Sequence, residues 1–332
     1  MKKIFVLFFV FTFSLWAVDE NQLPALFQSE ILPYYGTATP IEFNNHGREI
    51  KGISITKNAP SAIVFFPGRS ETYAEYAELF YDLKDLPFDL YTFDHFGQGY
   101  SGRYFKAGTD SSSKGHVTSY QTYYGDAQVF LDQNVFNKQY KKVFFMSHSM
   151  GGHIALALAK RNPSIVTGLI LSSPMIDIKT GKYTKTKAIW LSRTMVYLGQ
   201  GTKWADGQKP YKMDADFSTN EVTTSENRYA VTRDLYDADP YLQIGGVTYR
   251  WVYETLMADQ KLFYKLNVFT VPTIMFVSSD ETIVDKESSM AACKAIVLCQ
   301  LHEMQGKHEL LQEKDPTRNE VLRHVKFFLE TN

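Results

Sequence analysis

Val143-Phe144-Phe145-Met146-Ser147-His148-Ser149-Met150-Gly151-Gly152-His153-Ile154-Ala155-Leu156-Ala157-Leu158-Ala159 is the most informative stretch of the 332-residue chain. Val143 to Met146 is a short continuous apolar run of the kind that forms a buried strand. Ile154, Leu156, Ala157 and Leu158 follow with helical character. Between them, Ser149 falls on a tight strand-to-helix turn, with small residues two positions to either side, Ser147 and Gly151. Such a turn lifts a serine Oγ above a sheet edge, and the helix that begins there aims its first N–H groups at developing negative charge. Ser147 stands where the G-x-S-x-G pattern has its first glycine, a small change that the turn tolerates. A serine that merely caps the helix beside a glycine contact is the plainer alternative.

Outward from this turn the chain keeps the same grammar. Ala62 to Phe66, Phe88 to Phe93 and Leu169 to Leu171 are further short apolar runs. Helical patterns separate them, one with Tyr76, Leu79, Phe80 and Leu83. A hairpin centred on Asn44-Asn45-His46-Gly47 precedes them. Buried strands alternating with helices predict an α/β fold, a mostly parallel sheet with helices on both faces. The alternation stops from about Met175 to Leu262 and resumes with a strand at Ile274 to Val277, a helix near Ser288 to Ile296, a strand near Leu298 to Met304 and a last helix from Glu320 to Leu329. The interrupting stretch, about 175–262, reads as an inserted, largely helical cap. Its Tyr183, Trp190, Tyr197, Trp204 and Tyr211 are candidates to line an apolar tunnel or to meet a cationic group, against the plainer alternative of the cap's own core.

A serine nucleophile needs an imidazole base, and the base needs a carboxylate to fix its tautomer. The chain order serine, acid, histidine is one of those found for this constellation. Asp280, just after the strand Ile274 to Val277, is the favoured acid, with Asp285 as its competitor. His308, in a loop after the last strand and two residues past Gly306, is the candidate base; His302 falls within that strand and reads as structural. The oxyanion would be held by two backbone N–H groups, those of Met150 and of Arg69 in Pro67-Gly68-Arg69-Ser70 at the end of the strand Ala62 to Phe66.

Lys2 and Lys3 precede a 13-residue run from Ile4 to Trp16 that is apolar except for Thr12 and Ser14, and Ala17 follows it. This is the pattern of an export signal cleaved after residue 17, which leaves 18–332 as the mature chain in the periplasm or outside the cell. An uncleaved anchor is the other reading. The run is short of the ~20 residues that span a bilayer. Thirty-five basic residues against 36 acidic ones offer no footprint for nucleic acid, and 44% hydrophobic residues exclude a disordered chain. Two cysteines are too few for a thiolate metal cluster. Cys293 and Cys299 could close a short disulfide in an oxidising compartment or remain two buried thiols.

Asp94-His95-Phe96-Gly97-Gln98-Gly99-Tyr100-Ser101-Gly102-Arg103 resembles the Asp-His-Arg-Gly-Gln-Gly-x-Ser-Gly pattern of the monoacylglycerol lipase and lysophospholipase branch of the α/β-hydrolases. Phe66-Pro67-Gly68-Arg69, Gly115-His116-Val117, Glu226-Asn227-Arg228-Tyr229, Gly245-Gly246-Val247-Thr248-Tyr249 and Lys307-His308-Glu309-Leu310 are similar to the bacterial L-two type lysophospholipases within it. The resemblance runs from about Pro40 to the C-terminus and departs from the pattern at Ser147 and Phe96. It implies an α/β-hydrolase fold and a serine esterase acting on a single-acyl lipid, without metal or organic cofactor and without an obligate protein partner. It supports Ser149, Asp280 and His308 as the triad and gives Asp94, His95 and His116 the role of organising turns. A monoacylglycerol lipase, a general carboxylesterase and a non-catalytic lipid-binding protein are the rival readings.

Overall fold

The computed structural model describes residues 17–106, 109, 112–212 and 216–332; of the expected export signal, 1–17, all but Ala17 lies outside them. Two short helices, α1 (Leu23–Leu26) and α2 (Leu32–Tyr35), precede the sheet. Eight strands then form one sheet in the order β1-β2-β4-β3-β5-β6-β7-β8. They are β1 (Thr39–Asn45), β2 (Arg48–Ile55), β3 (Ser61–Phe66), β4 (Phe88–Phe93), β5 (Lys142–His148), β6 (Gly168–Ser172), β7 (Thr273–Ser278) and β8 (Cys299–Met304). β1 and β2 form the hairpin, β2 also meets β4 antiparallel, and every later pairing is parallel.

Strand residues alternate between two cores. Val64, Phe145, Leu171 and Met275 face one, and Ile63, Phe144, Ile170 and Phe276 face the other. The first core is covered by α4 (Tyr120–Leu131), α5 (Met150–Arg161), α8 (Tyr249–Leu262) and α9 (Lys286–Ala295). The second is covered by α3 (Ala77–Asp82) and α10 (Asp315–Thr331). Central strands buried on both faces explain why the sequence shows continuous apolar runs rather than alternation. Between β6 and β7 the chain holds α6 (Lys185–Tyr197), α7 (Glu226–Ala238) and α8, each with a Thr or Ser N-cap whose side chain accepts from the first turn. Cys293, at the end of α9, is joined to Cys299, the first residue of β8, by a disulfide. Among the described residues no helix is long and apolar enough to cross a membrane.

The turn after β5 is as tight as its sequence suggests. Ser149 takes φ 48° and ψ −118°, a conformation that costs a non-glycine residue on the order of 1–3 kcal/mol. Its N–H donates to Ser172 O (3.1 Å), and its carbonyl accepts from Met175 N–H (2.8 Å), so β6 and the segment after it hold the strain. A Cβ on Gly151 would stand 2.0 Å from the Phe66 carbonyl oxygen, whereas one on Gly125 of α4 would meet nothing within 4 Å. Gly151→Ala is therefore expected to lower the melting temperature sharply or abolish soluble protein. Gly125→Ala should raise stability by about 0.5–1 kcal/mol. Thermal unfolding of the two variants checks both.

Candidate active site

The carboxyl ends of β3, β5, β7 and β8 bring the candidate residues to one edge of the sheet. β3 and β5 run in register with Phe66 opposite Ser147, which sets Pro67 to Glu71 beside the Ser149 turn. The tight approach of Gly151 to Phe66 and Pro67 fixes that neighbourhood. Met150 is the first residue of α5, so its N–H has no acceptor within the helix. The Asp94 to Arg103 turn braces the loop from outside. Gln98 Nε2 donates to Gly68 O (2.6 Å) and Glu71 O (2.9 Å), and its Oε1 accepts from Ser70 N–H. Asp94 is buried and accepts from Tyr73 N–H, Tyr100 N–H and the Thr72 hydroxyl, so it organises this turn and stays outside the reactive line.

His308 lies where a base must. Its Nε2 is 2.9 Å from Ser149 Oγ, and Ser149 is only 6% exposed. The carboxylate on its other nitrogen is not Asp280. Glu281 Oε2 meets His308 Nδ1 at 2.8 Å, with the Glu281 side chain 2% exposed. The turn after β7 decides this. Asp280 N–H donates to Gly306 O (3.1 Å) and to Ser278 Oγ (3.2 Å), which leaves Asp280 exposed and swings the next residue inward. Glu281 Oε1 then accepts from Ile283 N–H (2.8 Å) and Val284 N–H (3.1 Å), which fixes its carboxylate from the far side. Asp285 caps α9, where Oδ2 accepts from the Ser288 hydroxyl. A glutamate satisfies the acid position of the constellation as well as an aspartate. Its adjacency to Asp280 was the available sequence signal.

A second histidine–carboxylate pair, missed by the sequence reading, stands behind the first. His148 Nδ1 is 2.6 Å from Glu71 Oε1, and His148 Nε2 is 3.3 Å from the carbonyl oxygen of His308. Both ring nitrogens face acceptors, which only the doubly protonated ring can satisfy. Burial opposes that charge, but the Glu71 carboxylate outweighs it and the imidazole is pushed up to about 9. Burial likewise works against the Glu71 charge, yet His148 prevails and holds this carboxyl below its ordinary value. The other Glu71 oxygen accepts from Tyr76 Oη–H and Gly68 N–H. The His148 and His308 rings are 4.7 Å apart between centroids. Burial lowers the His308 value below that of an ordinary histidine; the Glu281 hydrogen bond works the other way, and the like charge of His148 adds to the lowering.

Above this edge opens a cavity of about 900 Å³, lined by Ser149 and His308, by apolar groups such as Met175, Leu191, Val247 and Trp251, and by Arg69. Of the aromatic candidates, Tyr183 and Tyr211 line it. Trp190 and Tyr197 are instead 68% and 88% exposed on α6, and Trp204 meets Lys114. The Arg69 guanidinium donates to Gly245 O (2.9 Å) and lies 5.9 Å from the Trp251 ring; no carboxylate pairs with it among the described residues.

Residues 57–315 match the Hydrolase_4 family model, described as serine aminopeptidase, S33. The chain belongs to this family. As a member of Hydrolase_4 it is a hydrolase of the α/β-hydrolase superfamily. It is 29% identical to lysophospholipase L2 of Escherichia coli strain K12, over 93% of each chain. It is 25% identical to monoglyceride lipase of Rattus norvegicus, over 80% of this chain and 81% of that one. Among solved structures, a soluble variant of monoglyceride lipase from Saccharomyces cerevisiae superposes with a TM-score of 0.69 at 19% identity, covering 89% of this chain and 95% of the other.

The neighbouring imidazolium gives a pH prediction. With neutral His308 as the proposed base, kcat/KM should rise with pH through an acid limb below the ordinary histidine value. His148→Asn removes the like charge, so that limb should move to higher pH. A pH–rate profile of both proteins on a soluble ester checks it.

Proposed function

We propose that this protein is a serine hydrolase that cleaves the carboxylic ester of a single-acyl lipid, in the first place a lysophospholipid. The observation that carries the reading is the continuous line Ser149 Oγ, His308 imidazole, Glu281 carboxylate. Ser149 Oγ attacks the ester carbonyl while His308 Nε2 takes its proton, and Glu281 stabilises the resulting imidazolium through Nδ1–H. The Met150 and Arg69 N–H groups receive the oxyanion. His308 then protonates the departing alcohol, the acyl group remains on Ser149, and water activated by the same imidazole releases the fatty acid. The apolar part of the cavity would take the acyl chain, and its volume falls within the range of small-molecule sites.

The choice of lysophospholipid over monoacylglycerol rests on Arg69. A half-buried guanidinium in the cavity wall, with no carboxylate counterion among the described residues, suits a phosphate. Between its own backbone N–H and its guanidinium an arginine spans roughly 6–7 Å, about the separation of the ester carbonyl and the phosphate along a glycerol backbone. One residue can therefore address both ends of that unit. The relatives named lysophospholipase L2 support the same substrate class.

Fatty-acid release should be measured side by side from a lysophospholipid and a monoacylglycerol. Preference for the lysophospholipid, abolished in Ser149→Ala, is expected. Preference for the monoacylglycerol would move the substrate to the neutral lipid, and release from neither would overturn the lipid-ester reading. In Arg69→Met the ratio of kcat/KM for the two substrates should fall at least about tenfold against the lysophospholipid, the worth of a charge-assisted hydrogen bond.

A further inference from the structure

The first described residues enter a largely buried ionic cluster. Val18 is 5% exposed, and its backbone N–H donates to Asp82 Oδ1 (3.1 Å), whose side chain is fully buried at the end of α3. The Val18 carbonyl accepts from Arg228 Nη2 (2.9 Å), and Glu20 N–H donates to Asp315 Oδ2 (3.0 Å). Arg228 of α7 pairs with Glu78, Asp315 and Glu20, and Arg318 of α10 pairs with Asp82 (2.7 Å) and Glu78 (3.3 Å). Two guanidiniums thus face four carboxylates, Glu20, Glu78, Asp82 and Asp315. Glu20 and Asp315 keep about a fifth of their side chains exposed, so water screens part of this surplus, but the negative excess beside the buried Asp82 still favours one more cation.

We propose that the missing cation is the chain's own α-ammonium group, freed by proteolysis between Ala17 and Val18 and received by Asp82. The step is a hydrolysis. Water is added across the Ala17–Val18 peptide bond, the carboxylate leaves with residues 1–17, and the amine of Val18 takes a proton. The small residue at the end of the apolar run, Ala17, is the side chain that a signal-type peptidase would accept. In the uncut chain the Val18 nitrogen brings Asp82 one neutral N–H. As an ammonium it brings a full charge and three donors to the same place, and charge-assisted hydrogen bonds are about twice as strong as neutral ones. Val18 is buried in the fold, so cleavage precedes docking.

The cluster joins four parts of the molecule: the N-terminal segment, α3, the inserted region through α7, and α10. It also reaches toward the active site. Arg228 Nη1 donates to Glu313 O (2.6 Å), and Glu313 Oε1 accepts from Lys307 N–H (2.7 Å), next to His308. Docking of the new terminus therefore tightens the same framework that carries the base. The inference stands apart from the substrate reading and does not depend on it.

The test has two arms. Intact mass and N-terminal sequencing of the exported protein should give a chain that starts at Val18. A start elsewhere, or retention of residues 1–17, overturns the cleavage. Protein starting at Val18 should then be compared with protein carrying Gly-Ser ahead of Val18, each with and without Asp82→Asn. The extension should lower the melting temperature by at least about 2 °C, and that loss should disappear in the Asp82→Asn pair. Equal melting temperatures with and without the extension, or a loss that survives Asp82→Asn, would overturn the docking. If Asp82→Asn does not fold, N-acetylated Val18 protein carries the comparison. It should show the same loss as the extension, and melting unchanged by acetylation would overturn the proposal.

Discussion

His308 touches two side chains that the chain keeps 159 and 27 residues away, Ser149 on one nitrogen and Glu281 on the other. A hydrogen-bonded line of this kind tolerates errors of only a few tenths of an ångström, so three separate loops have to end in register. The parallel pairing of β5 to β6, β6 to β7 and β7 to β8 supplies that register, since it brings the ends of all four strands to one edge. The strained Ser149 turn is then held by the carbonyl of Ser172 and the N–H of Met175, and the base loop by Gly306 and Glu313. Strain at Ser149 is thus balanced by ordinary backbone hydrogen bonds to β6 and the segment after it.

The electrostatics of the edge follow from burial. Glu281 and His308 are almost fully removed from water, and so are Glu71 and His148 beside them. In such surroundings a charge persists only when a partner is in contact. The His148–Glu71 pair is neutral as a whole but presents its positive end to His308. Burial holds His308 below the ordinary histidine value and that positive end adds to the lowering, while the Glu281 hydrogen bond works against it. Of the two histidine–glutamate pairs, one meets Ser149 Oγ and the other sets the potential beside it.

Much of this was legible in the sequence, because it is written locally. The apolar runs of β3, β4, β5 and β7, the Ser149 turn and the loop placement of His308 all depend on residues close together in the chain. The stretch where the alternation breaks holds α6 and α7, whereas α8, expected within the same insertion, packs on the first core of the sheet. The acid was not legible in this way. Asp280 and Glu281 are adjacent, and which of them points inward is decided by Asp280 N–H binding Gly306 O across the β7–β8 loops. The His148–Glu71 contact joins residues 77 apart with no pattern between them. Trp190 and Tyr197 carry the same lesson from the surface, since aromatic composition alone does not say which side of α6 faces the cavity.

The central claim is that Glu281, and not its neighbour, orients the base. The most direct measurement is the rate at which a fluorophosphonate labels Ser149 in Glu281→Gln and Asp280→Asn, under conditions where both variants are folded by circular dichroism. The account predicts labelling slowed on the order of 10²–10⁴-fold in Glu281→Gln and close to the parent rate in Asp280→Asn. The reverse order, or equal labelling of the two variants, would contradict it.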